Sequence, residues 1–249
     1  MTATLSRPAA IPYSGRFGRT PGEKAVTDLT RYEEIDDIAV IRLDDGKANA
    51  FGPPMIAAVD AELDRAGESA KAVVLTGRDG MFSGGFDLKV IQGGDGAAAR
   101  EMATAGARLM MRLYGLPQPL VIAASGHAIA LGAICALTGD HRIGIHGEFR
   151  MGLNEVAIGS TLPPFAWLLA KDRLSKRYLT QAVVTANIYT HAGALDAGFL
   201  DELVEPAALL DTALAKARQL AELPAHAYAG MKHELRGEGI AGVLAGLDD

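Results

Sequence analysis

The 249-residue chain has one cysteine, one tryptophan and no long apolar run. A single thiol, Cys135, cannot close a disulfide within the chain, and it suits a reducing, cytoplasmic setting. Its plain role is that of a small, inert core side chain. Purely apolar runs are only a few residues long, and even the stretch from Ala128 to Leu137 falls well short of the roughly 20 residues a helix needs to cross a bilayer. No membrane span is read. Basic excess is missing too: 24 Lys and Arg against 30 Asp and Glu leave a net charge of −6, which argues against a general nucleic-acid binder.

Phosphate and dinucleotide signatures are absent as well. Neither G-x-x-x-x-G-K-[ST] nor G-x-G-x-x-G occurs. "MFSGG" and "ASGH" each set a serine beside glycine, but Met81 and Ala123 stand where a G-x-S-x-G nucleophile elbow needs its first glycine. No pair among His127, His141 and His146 has the helical i, i+4 spacing around a carboxylate, so they read as surface or strand-end residues and no metal site is expected.

What is present is a globular composition, 49% hydrophobic and 22% charged, enough for one large domain or a domain with a small appendage. The first residues carry Pro8, Pro12, Pro21 and four basic side chains without an apolar centre, so residues 1–26 read as a flexible arm and not as a secretory signal. From Thr27 the pattern alternates. "IAVIRL" (38–43), "AVVLT" (72–76) and "LVIAAS" (120–125) predict strands, separated by helices over Pro53 to Gly67 and Ala97 to Tyr114. That order is α/β. After Leu162 nearly every signal is helical.

Two glycine-rich turns each follow a predicted strand: "GRDGMFSGGFDLK" (77–89) and "SGHAIALGA" (125–133). Tight turns at two strand ends can aim backbone N–H groups at one point, where they would stabilise the negative charge that develops on a carbonyl oxygen as it becomes an enolate. Such donors need small neighbours and a permissive backbone, which Ser83, Gly84, Gly85, Gly132 and Ala133 supply. A helix start at Ala133 would add to the effect.

"FSGGFDLK", "GHAIALGA" and "NEVAIGSTLP", in that order and spacing, resemble the crotonase (enoyl-CoA hydratase/isomerase) superfamily from about Thr27 to the C-terminus. The resemblance implies a spiral of ββα units over 27–195, a helical C-terminal trimerisation region over 196–249, a homotrimer or dimer of trimers, and an acyl-CoA thioester substrate. CoA enters as part of that substrate, with no separate cofactor. It also implies that the N–H groups of Phe86 and Ala133 form the oxyanion hole. Phe86 departs from the small residue the family often has there, which leaves the N–H intact but crowds or lines the acyl pocket. The resemblance further places Ala48 and Ala50 of "KANAF" beside CoA, with Asp87, Leu88, Lys89 and Gly132 as further contacts and Lys89 as a phosphate partner. Met110, Phe165 and Trp167 are candidates either for pocket walls or for core.

Carboxylates separate the reactions. Hydratases of the family use two glutamates; "GLNEVAIG" supplies one, Glu155, while Ala136 stands where the other would be. No acid follows before Asp140, which belongs to the strand entry "GDHRI". With Glu155 alone the chemistry that closes is a proton shuttle between the α and γ carbons of a 3-enoyl-CoA. The apolar neighbours Met151, Leu153, Val156 and Ile158 would raise its pKa. Two alternatives stay open: a hydratase using another acid or a water, and a binding protein with little turnover.

Overall fold

A computed structural model describes residues 28–247; the arm expected over 1–26 lies outside the described residues. The β-branched runs form β2 (Ile38–Leu43), β3 (Ala72–Gly77) and β5 (Leu120–Ala123). With β1 (Thr30–Ile35), β7 (His141–Ile145) and β10 (Glu202–Val204) they build a six-stranded sheet in the order β1-β2-β3-β5-β7-β10. Only the β1–β2 pair is antiparallel. Parallel neighbours need long crossovers. α1 (Pro53–Ser69) supplies one, between β2 and β3; α3 (Gly96–Tyr114) lies on the path to β5.

Every residue of β3 is buried, because both faces of the sheet are covered. Val73 and Leu75 join the main core with α1 and α3. Val74 points the other way, to Leu209, Ala213, Leu214 and Ala217 of α8 (Leu209–Ala221), as the period of two requires.

A second sheet holds β4 (Gly80–Ser83), β6 (Gly126–Ile129), β8 (Arg150–Gly152) and β9 (Ile188–Thr190), in that order, with only β9 antiparallel. Strands β4, β6 and β8 each follow a strand of the first sheet, and each leads toward a helix: α2 (Leu88–Gln92) with α3, then α4 (Leu131–Leu137), then α5 (Pro164–Arg173). This is the mixed α/β, ββα architecture that the motifs implied. The nearly all-helical reading after Leu162 needs correction. It missed β9 and β10, and "SKRYLTQAVVTA" is helical mainly at α6 (Leu179–Val183). Strands of three residues are too short for alternation to show.

The last helices are α7 (His191–Ala197), α8 and α9 (Ala225–Ala245). Asp140 anchors α9: its carboxylate accepts from Lys232 Nζ at 2.5 Å, from Arg236 Nη1 at 2.8 Å and from the Leu120 N–H at 2.8 Å. Lys232 also donates to the carbonyls of Leu116 and Gln118. Burial pulls its amine down to about 8 against the opposing pull of Asp140. A carboxylate held this way is a fold anchor, in line with its assignment to the strand entry.

Candidate active site

Strands β4, β6 and β8 run parallel, with a register shift between Met81 and Ser83 that sets Ser83 beside Ala128, and with Ala128 beside Met151 and Ile129 beside Gly152. Their C-terminal ends therefore open on one edge of the sheet. Phe86 comes three residues after Ser83, Ala133 four after Ile129, and Glu155 three after Gly152. The topology alone brings the three to one edge.

The two glycine turns touch. Gly85 has φ +100, and a Cβ there would meet Ala130 Cβ and Ile129 O at 3.1 Å and Leu131 N at 3.3 Å. Of the small size and the permissive backbone expected of Gly132, the structure uses the small size. The residue is helical and needs no special dihedral; a Cβ on it would lie 2.2 Å from Ser83 O, so glycine is what lets α4 start directly on the end of β4. The strained position is Ala130, at φ 52 and ψ −123, a region that costs on the order of 1–3 kcal/mol for a residue with a Cβ. Its N–H donates to Gly152 O at 3.0 Å, which ties the second turn to the end of β8.

A third segment closes the cluster. The Gly84 N–H donates to Ala48 O at 2.8 Å, and the Phe51 N–H donates to Gly85 O at 2.8 Å. Between them Asn49, fully buried with φ 48, gives its side-chain amide to the carbonyls of Leu43, Met81 and Phe82, each at 3.1 Å. Ser83 Oγ returns a bond to Asn49 O at 2.7 Å. The sequence reading passed over Asn49. The available signal was that asparagine tolerates left-handed backbone and carries an amide able to bond several carbonyls.

This bonding pattern does not use the N–H of Phe86 or the first N–H groups of α4. In the parallel bridge between Phe51 and Phe86 it is Phe51 that donates to Gly85, so the N–H of Phe86 faces away from Phe51. In α4 the helical ladder begins with the Ile134 N–H donating to Ala130 O, so the N–H groups of Leu131, Gly132 and Ala133 precede it.

Among the residues expected to touch CoA, Ala48 and Ala50 lie in the third segment, where the Ala50 N–H donates to Asp45 Oδ2 at 3.3 Å. Asp87 caps α2 by accepting the Lys89 N–H at 2.9 Å. Leu88 and Lys89 are exposed beside it. Met110 and Phe165 are buried in the core, and Trp167 is half exposed with the Lys171 ammonium 5.8 Å from its ring centroid.

Glu155 heads a 3-10 turn over Val156–Ile158; its carbonyl accepts from Ile158 N at 3.1 Å and Ser160 N at 2.8 Å. Its Oε2 is buried and takes no hydrogen bond from the described residues, and neither does Asn154 Oδ1 beside it. Burial pushes the carboxyl above the usual glutamate range, opposed only by a local backbone hydrogen bond. The expected surroundings hold in part. Met151 and Leu153 are buried, but Val156 and Ile158 are 47% and 64% exposed because the turn throws them outward. Ala136, one turn beyond Ala133, is fully buried in the core. A carboxylate with one oxygen buried and unpartnered is equipped to move a proton on a bound molecule.

The family model for enoyl-CoA hydratase/isomerase matches residues 33–239. The chain belongs to the enoyl-CoA hydratase/isomerase family. An enoyl-CoA hydratase/isomerase family protein from Pseudomonas syringae superposes with TM-score 0.87 at 38% identity, over 90% of this chain and 97% of that one. A Mycobacterium tuberculosis member superposes with TM-score 0.84 at 40% identity, over 89% and 97% of the two chains. It is described as an enoyl-CoA isomerase in one structure and as a probable enoyl-CoA hydratase in another. Rat mitochondrial enoyl-CoA delta isomerase 1 is 30% identical over 201 residues, 76% of this chain and 68% of its own length. Enoyl-CoA hydratase/isomerase relatives thus carry both activities in their names, and the choice between them rests on the residues of the site.

Proposed function

We propose that the protein shifts a double bond of an enoyl-CoA from position 3 to position 2. The observation that carries this reading is Glu155, a half-buried residue whose Oε2 is buried without a hydrogen-bond partner among the described residues, with an alanine, Ala136, one turn beyond Ala133. The N–H groups of Phe86 and Ala133 hold the thioester oxygen as an oxyanion hole. Glu155 takes a proton from the α carbon, the electron pair delocalises into the thioester as a dienolate, and the same carboxyl returns the proton at the γ carbon. Ala48, Ala50, Asp87, Leu88, Lys89 and Gly132 line the approach of the CoA portion, with the exposed Lys89 ammonium meeting its phosphates. The lone buried Cys135 suits a cytoplasmic setting.

The test is a pair of substrates. A 3-enoyl-CoA should gain the absorbance of a conjugated thioester, while crotonyl-CoA should keep it. Rapid loss of that absorbance from crotonyl-CoA would mean hydration and overturn the isomerase reading; binding of both without turnover would mean a carrier. A homotrimer or dimer of trimers is part of the same proposal. It is supported by Met231 and Leu235, 69% and 76% exposed on one face of α9.

A further inference from the structure

We propose that Phe86 and Gly106 together form a length gate for the acyl chain; this rests on the acyl-CoA reading above and names the residues that set its substrate range. Gly106 lies inside α3, where a glycine weakens a helix. The packing explains it. A Cβ at 106 would stand 2.6 Å from Phe86 Cε1 and 2.8 Å from Cζ, with Leu131 Cδ2 at 3.8 Å. The tip of the Phe86 ring is therefore seated on bare α3 backbone, in a notch that exists only because residue 106 has no side chain.

Phe86 also sits at the turn whose N–H is assigned to the thioester oxygen, so its Cα is one bond from that nitrogen. Phe86 is half-buried and packs against the main core, with the tip of its ring on α3. Seated in the notch, the ring leaves the space beside the thioester to the first acyl carbons. Driven from the notch, it must swing back into that space, because the segment carrying it is held by Gly84 on Ala48 and by Gly85 on Phe51. Ring and notch thus control one volume from opposite sides. Removing the ring lengthens the acyl pocket, and filling the notch shortens it.

Saturated acyl-CoAs from butyryl to decanoyl, titrated by calorimetry, read this without any turnover. Each methylene newly buried is worth about fourfold in affinity, so Phe86→Ala should raise the decanoyl-to-butyryl affinity ratio by about tenfold or more. Gly106→Ala should lower the same ratio by about tenfold. Combining the two should bring it back above that of Gly106→Ala alone, because the new methyl no longer meets a ring. Phe86→Leu should fall between wild type and Phe86→Ala, which keeps the test decisive if Gly106→Ala does not fold. An unchanged ratio in the Phe86 variants, or both single substitutions moving it the same way, would overturn the gate. If the unaltered protein bound no acyl-CoA at all, the reading of the site would fall and the gate with it. If it bound acyl-CoA but proved a hydratase, the gate would still stand or fall on the ratios.

Discussion

Glu155→Gln should lower kcat on a 3-enoyl-CoA by about 10³–10⁴-fold, change acyl-CoA affinity little, and raise the melting temperature. The first number follows from the task given to one group. A positioned general base or acid contributes about 10²–10⁴-fold, and here the same carboxyl performs both proton transfers, which places the loss at the upper end. Affinity changes little because the reading places the CoA portion on the 48–51 and 86–89 segments.

The stability gain comes from the raised pKa of Glu155. Its folded value lies above the unfolded one, so the stability linked to its protonated form is present below the unfolded value and lost as pH rises through the folded value. At neutral pH, above the unfolded value, the desolvated carboxyl is then a net burden on the fold, one that glutamine does not carry. The same shift sets the pH profile of catalysis: kcat/KM should fall as the pH drops through the raised value, since the base must be ionised to accept a proton. Calorimetric melting at neutral pH, together with a kcat/KM profile, checks both. Retained turnover in Glu155→Gln, or a lower melting temperature, would count against a desolvated base at this position.

The strands that carry periodicity or β-branched runs were readable. β2, β3 and β5 lie where "IAVIRL", "AVVLT" and "LVIAAS" place them, and α1 and α3 agree to within two residues at each end. β4, β6 and β8, which position the site, were not legible from pattern. They have only three or four residues and include Gly80, Gly126 and Gly152, so neither alternation nor β propensity marks them. Their places followed from the motifs at their ends. The same limit applies to Asn49 and Gly106, whose roles depend on contacts with Met81, Phe82 and Phe86 more than 15 residues away in sequence. Glu155 stood out through its motif, yet the exposure of Val156 and Ile158 depends on a 3-10 turn that local composition does not announce.

Gly132→Ala should separate a built site from a chance meeting of two turns, with a loss of about 10²–10³-fold in kcat if one oxyanion donor is displaced. The added methyl would fall 2.2 Å from Ser83 O and 2.8 Å from Ser83 C, backbone atoms that no rotamer change can move aside. Ser83 has little freedom to retreat. Its Oγ donates to Asn49 O, and the Asn49 amide binds the carbonyls of Met81 and Phe82 just before it. The start of α4 must shift instead, taking the Ala133 N–H away from the end of β4. Overpacking of this kind also destabilises by about 1–3 kcal/mol, so melting should drop together with kcat. Gly67→Ala is the control. It lies within α1 with nothing inside 4 Å of the new methyl, and it should stabilise by about 0.5–1 kcal/mol without touching kcat. A folded Gly132→Ala protein with undiminished kcat would show that the seating of α4 on Ser83 is architecture alone, and that the thioester oxygen is held elsewhere.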